Sequence, residues 1–95
     1  MKINLTENIF YLEGRLDLSS AEKIKKEIEE NYLKFKEVIL DFSEVKFMNS
    51  AGLGGIISIY KMLVENDKFL ILKNMKPHIF SIFEIAGLTK ILNVK

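Results

Sequence analysis

The sequence predicts one α/β domain over residues 1–95, a mixed and largely parallel sheet of four to five strands with helices packed on it. Three observations lead there. Ninety-five residues is a single domain's worth of chain. Short continuous apolar runs, Val38-Ile39-Leu40 and Phe69-Leu70-Ile71-Leu72, have the pattern of strands buried on both faces. Segments of helical period alternate with these runs, which implies crossover helices between parallel strands.

Taken in order, Lys2-Ile3-Asn4-Leu5-Thr6 alternates as a half-buried strand. Glu7-Asn8 is a turn signal, and Ile9 to Leu12 reads as a second strand ending near Gly14, so the two form a hairpin. Residues 15–20 read as a loop in which Ser19 or Ser20 is the expected N-cap of a helix. Ala21, Ile24, Ile28 and Phe35, with Tyr32 beside them, mark an amphipathic helix over 21–35. Glu37 to Phe42 is a buried strand, followed by a short loop and the segment Met48-Asn49-Ser50-Ala51-Gly52-Leu53-Gly54. Leu53, Ile56, Ile57, Tyr60, Leu63 and Val64 recur at i, i+3, i+4, i+7 and predict the apolar face of a second helix, stopped by Asn66-Asp67. After the strand at 69–72, Pro77 suits the first turn of a third helix. Ile79, Ile82, Phe83 and Ala86 are its apolar face, and Gly87 is its C-terminal cap. Residues 88–95 read as a last strand or a docked tail.

Composition narrows the function. The formal net charge is +1, and Lys23, Lys25 and Lys26 lie among Glu22, Glu27, Glu29 and Glu30, a solvated helix surface that disfavours direct nucleic-acid binding. There is no cysteine, hence no disulfide or thiolate metal site. No secretory signal pattern and no apolar run near the roughly 20 residues of a bilayer span are present, so no membrane insertion and a cytoplasmic location are expected.

Catalysis lacks parts. His78 is the single histidine, directly after Pro77, with no nucleophile or orienting group indicated near it, and a surface role is expected. None of Gly52, Gly54 and Gly55 precedes a lysine, which removes the P-loop. A dinucleotide fingerprint beginning at Gly52 would need a third glycine where Ile57 stands. A nucleophile elbow centred on Ser50 would need glycine in place of Met48. What remains at Ser50 is a hydroxyl at a helix start, where unpaired N–H groups and the helix dipole favour an anion. Two readings follow: Asn49 or Ser50 is a simple N-cap, or Ser50 accepts a phosphoryl group. For Phe47 and Met48 the two readings are a ligand-binding surface and core packing, and core packing is expected.

Asp41-Phe42-Ser43-Glu44-Val45-Lys46-Phe47-Met48-Asn49-Ser50-Ala51-Gly52-Leu53-Gly54 resembles the signature of STAS domains, in particular the bacterial anti-sigma factor antagonists. Gly14-Arg15-Leu16-Asp17 resembles that family's Gly-Glu-Leu-Asp element, and the resemblance spans essentially the whole chain. It implies a non-enzymatic module that needs no cofactor of its own. It implies Ser50 as phosphoacceptor of an anti-sigma factor that is itself a serine kinase, with a phosphatase restoring the free hydroxyl. Asp17, Asn49, Ala51, Gly52, Leu53 and Gly54 would line the docking surface around Ser50. Two positions depart from the family pattern: Asn49 replaces an acidic residue, and Arg15 replaces Glu. The alternative is a STAS scaffold subunit of a stress-sensing or lipid-transport complex that is not phosphorylated.

Overall fold

Lys2–Thr6 (β1) and Ile9–Leu16 (β2) pair antiparallel around a two-residue turn in which Glu7 adopts the left-handed φ of 55°. This hairpin opens the computed structural model, which describes residues 1–31 and 34–95. There follow Leu18–Glu30 (α1), Glu37–Met48 (β3), Ser50–Glu65 (α2), Phe69–Lys73 (β4), Pro77–Ile85 (α3), a 3₁₀ turn at Leu88–Lys90 and Asn93–Val94 (β5). The five strands lie in sequence order in one sheet, and every pairing after the first is parallel.

Sequential parallel strands joined by right-handed crossovers put their helices on one side of the sheet. The core agrees. Phe10, Leu40 and Leu72 form one cross-strand row and share a single buried cluster with Ala21, Ile24 and Ile28 of α1, Ile56, Ile59 and Leu63 of α2, and Ile79 and Phe83 of α3. Edge-to-face rings fasten it at two points, Phe10 on Phe35 and Phe42 on Phe83, with centroids 6.5 and 6.1 Å apart. The opposite face carries the rows Ile9, Ile39, Ile71 and Tyr11, Asp41, Lys73.

Element order and pairing match the sequence reading, while several boundaries differ. β2 runs on to Leu16, because Gly14 at φ 116° and two register irregularities against β3 let pairing continue past the glycine. β3 likewise continues through Ser43–Phe47 to Met48, so no loop separates it from α2 beyond Asn49. The cap of α1 is Asp17, not Ser19 or Ser20: the Ser20 N–H donates to Asp17 Oδ1 at 3.0 Å, and Ser20 returns the contact as the other half of a capping box. α1 ends at Glu30 rather than 35, and Tyr32 lies outside the described residues. In α2 the buried stripe is Gly52, Ile56, Ile59 and Leu63, and Val64 is half exposed. The predicted face was rotated because its first inward position is a glycine and carries no hydrophobic signal. α3 starts with Pro77 at its first turn, and Gly87, at φ 74°, follows its C-terminus as expected. Ala86, expected on its apolar face, is exposed.

Asp41 is buried to 7% exposure on the face away from the helices. Its Oδ1 accepts from the Ser43 N–H at 2.9 Å and its Oδ2 from Asn74 Nδ2 at 2.8 Å, tying β3 to the turn after β4. Burial pushes the Asp41 pKa up, but the Ser43 and Asn74 hydrogen bonds and the Lys73 charge outweigh it and hold the carboxyl below 3.8. A depressed folded pKa means stability that is present above pH 3.8 and lost as the pH falls through the folded value.

Asp41→Ala is expected to cost about 1–3 kcal/mol in urea unfolding at neutral pH, and to flatten the loss of stability on the acid side. Gly52 and Gly54 should behave oppositely. A Cβ at Gly52 would sit inside contact distance of the Leu16 carbonyl, whereas at Gly54 it meets nothing within 4 Å. Gly52→Ala is expected to destabilise by about 1–3 kcal/mol, and Gly54→Ala to stabilise by up to about 1 kcal/mol through helix propensity. The same unfolding measurement separates them.

Candidate functional site

The ends of β2 and β3 lie side by side, with Leu16 opposite Met48, and each strand feeds a helix one residue later. Asp17 caps the first helix and Asn49 the second, so two helix N-termini share one rim of the molecule. Asn49 Oδ1 accepts from the Gly52 N–H at 2.8 Å, and the Asn49 N–H donates to the Leu16 carbonyl at 3.2 Å. The neutral amide therefore does the capping that either Asn49 or Ser50 was expected to do.

Ser50 is the first residue of α2 and is exposed. No described residue hydrogen-bonds its hydroxyl, so Oγ is presented to solvent at the positive end of a 16-residue helix. Among the other residues the sequence singled out, Ala51 and Gly54 are exposed beside it, Leu53 is half-buried against the core, and Gly52 faces inward onto Leu16 and Asp17. Asp17 is half-buried. Hydrogen bonds from the Ser20 backbone and hydroxyl hold its carboxyl below the usual range, assisted by the Arg15 charge.

Two features depart from the sequence reading, the first absent from it and the second contrary to it. One is a groove of about 370 Å³ between α1 and α2, floored by Ala21 and Gly55 and edged by Leu18, Glu22 and Lys25 on one side and Ala51, Gly54 and Ser58 on the other. Gly55 lets the two helices close up, since a Cβ there would overlap that of Ala21. The other is Phe47. Met48 is in the core as expected, but Phe47 is 39% exposed, and the Arg15 guanidinium lies over its ring at 4.1 Å from the centroid. Alternation along β3 turns Phe47 to the face opposite Met48, a parity hidden by the two irregularities. His78 is exposed, with Nε2 2.9 Å from the Lys46 carbonyl, a surface histidine as expected.

No group of three or more His, Cys, Asp or Glu side chains poised for a metal occurs among the described residues, and no helix there is long and apolar enough to cross a membrane. The rim offers a hydroxyl, a helix dipole and a shallow groove, which suit recognition and modification by another protein.

Residues 1–95 match the STAS domain family. The anti-sigma-B factor antagonist of Listeria monocytogenes is 33% identical over 86 residues, which cover 90% of this chain and 75% of that protein. The unphosphorylated anti-sigma factor antagonist SpoIIAA superposes with a TM-score of 0.71 at 21% identity, over 99% of this chain and 86% of the other. A sulfate transporter family protein from Wolinella succinogenes superposes with a TM-score of 0.82 at 15% identity, over 99% and 80% respectively, a likeness of fold alone. The chain belongs to the STAS domain family, among the anti-sigma factor antagonists, which are non-enzymatic regulators.

Proposed function

We propose that the chain binds an anti-sigma factor with serine kinase activity through the rim of α1 and α2, and so frees a sigma factor. The observation that carries this is the exposed Ser50 hydroxyl at the first position of α2, beside the groove between the two helices. In the switching step the γ-phosphoryl group of ATP bound to the kinase passes to Ser50 Oγ. ADP leaves, and the hydroxyl proton goes to a base on the kinase. A phosphate adds about −1.5 to −2 charge. At a helix N-terminus the fold tolerates that charge, while a partner pressed on the same rim meets new charge and bulk. A phosphatase resets the hydroxyl. The site of action is the bacterial cytoplasm.

Gly54 supports a contact surface. It is exposed just past the first turn of α2, where glycine costs about 1 kcal/mol relative to alanine, and no neighbour requires the missing side chain. A partner's backbone approaching Ala51 and Gly54 would use that space. Asn49 bears on the phosphorylation step: its amide caps α2 without charge, which lowers repulsion toward a phosphate on the next residue. The same substitution, with Arg15, supports the alternative of a scaffold subunit that is not phosphorylated. Co-purification with a transporter ATPase, rather than with a kinase, decides for that alternative.

Incubation with the kinase and ATP is expected to add one phosphate to the native chain and none to Ser50→Ala, read by intact mass; equal modification of both would remove Ser50 as the site. Ser50→Asp is expected to weaken kinase binding at least about tenfold while leaving the unfolding free energy within about 0.5 kcal/mol of the native value. Unchanged affinity would count against a charge switch.

A further inference from the structure

The sheet ends in two edge strands of unequal kind. β5, on one side, is two residues long, and so short an edge recruits little. β1, on the other, pairs with β2 through five consecutive positions without a bulge. It contains no proline, and its one charge, Lys2, stands at its end. Bulges, proline and mid-strand charge are the usual means of keeping an edge from pairing, and β1 has none of them.

Backbone parity fixes which groups of β1 are left over. The Ile39 N–H donates to the Asn8 carbonyl at 3.0 Å, so Asn8 and Phe10 turn their backbone groups toward β3. Ile9 and Tyr11 therefore turn theirs toward β1, where they bond Thr6 and Asn4. The N–H and C=O of Ile3 and Leu5 point to the free edge. Their side chains lie on the helix-bearing face, opposite Leu12 and Phe10, and Leu5 is 37% exposed there. A second β1 laid antiparallel about a two-fold axis through Asn4 satisfies both needs. Ile3 of each copy meets Leu5 of the other in a bonded pair, with the apolar side chains on one face. Lys2 meets Thr6, so no like charges are opposed.

The helix above this edge is self-complementary as well. α1 packs over β2 and runs in the direction of β1, with Lys23 Nζ donating to the Met1 carbonyl at 2.9 Å. At 3.6 residues per turn, Lys23, Glu27 and Glu30 share the side turned to β1, away from Leu18, Glu22 and Lys25 of the groove. The stripe runs from base to acid along α1, the reverse of what the helix dipole favours. α1 likewise has no acid in its first turn and no base in its last. Two copies joined at β1 set their α1 helices antiparallel, about 14 Å apart across three strand spacings. Lys23 of each then faces Glu27 and Glu30 of the other, a gap that long side chains span.

We propose that a second copy of this chain docks on the free edge of β1, making one continuous sheet across a two-fold axis. The Ser50 rim lies at the ends of β2 and β3, not on this edge, so it stays open in the dimer. The proposal is therefore independent of the phosphorylation reading.

Sedimentation of the full chain tests it. The contact is small, so the mass is expected to rise from one chain at about 10 µM toward two at about 1 mM. Amide exchange at Ile3 and Leu5 is expected to slow over the same range, with Asn4 unchanged. Leu5→Pro removes an N–H that β2 does not use. It is expected to weaken association at least about tenfold with circular dichroism unchanged. Lys23→Glu is expected to weaken it about three- to tenfold, and adding Glu27→Lys and Glu30→Lys to restore it. A single chain at every concentration overturns the proposal. So does association that survives Leu5→Pro, or a charge reversal that the added substitutions fail to restore. If Leu5→Pro unfolds, the charge reversal and the exchange pattern decide.

Discussion

The start of α2 is pressed so closely onto the end of β2 that only a hydrogen atom fits between Gly52 and the Leu16 carbonyl. That carbonyl also accepts the Asn49 N–H. One oxygen thus fixes where β3 stops, where α2 begins and how far α2 stands from the cap of α1. The arrangement of the rim follows from it. Asp17 and Asn49 cap adjacent helices because their strands end in register, and Ser50 is turned outward because Gly52 is turned in. Gly55 repeats the device one turn on against Ala21. Interiors are packed too densely to absorb an added methyl at such points without movement of the backbone.

A fold of this kind does not select a function by itself. The same sheet and helices superpose on a sulfate transporter family protein at a higher TM-score than on SpoIIAA. The family relationship to anti-sigma factor antagonists comes from sequence identity, and the functional reading comes from the rim: an accessible hydroxyl, a neutral cap and a groove bordered by small residues. The site's chemistry, rather than the scaffold, carries specificity.

Much of this was legible in the residues. Val38–Leu40 and Phe69–Leu72 reveal buried parallel strands, and Pro77 and Gly87 bracket α3, because these signals are local. The errors arose where a local signal was outvoted. Gly14 and the polar residues 43–46 suggested strand ends, yet cross-strand pairing carried β2 and β3 onward past both. Asp17 out-competed two serines as a cap because Ser20 could reciprocate. The inward face of α2 was misread by one position because its first member is Gly52. Phe47 looked like core, and only the register of β3 shows that it faces outward under Arg15. The groove between α1 and α2 was invisible, since segments distant in the chain converge on it.

Near the start of α2 one position is frozen and three are open. Gly52 admits no side chain at all, while Ser50, Ala51 and Gly54 project into solvent and touch little. Changes at the three open positions alter what the rim presents without disturbing how the helix is seated. The chemistry of that surface and the seating of the helix beneath it are therefore separable: the first can vary while the second is held by a single missing side chain.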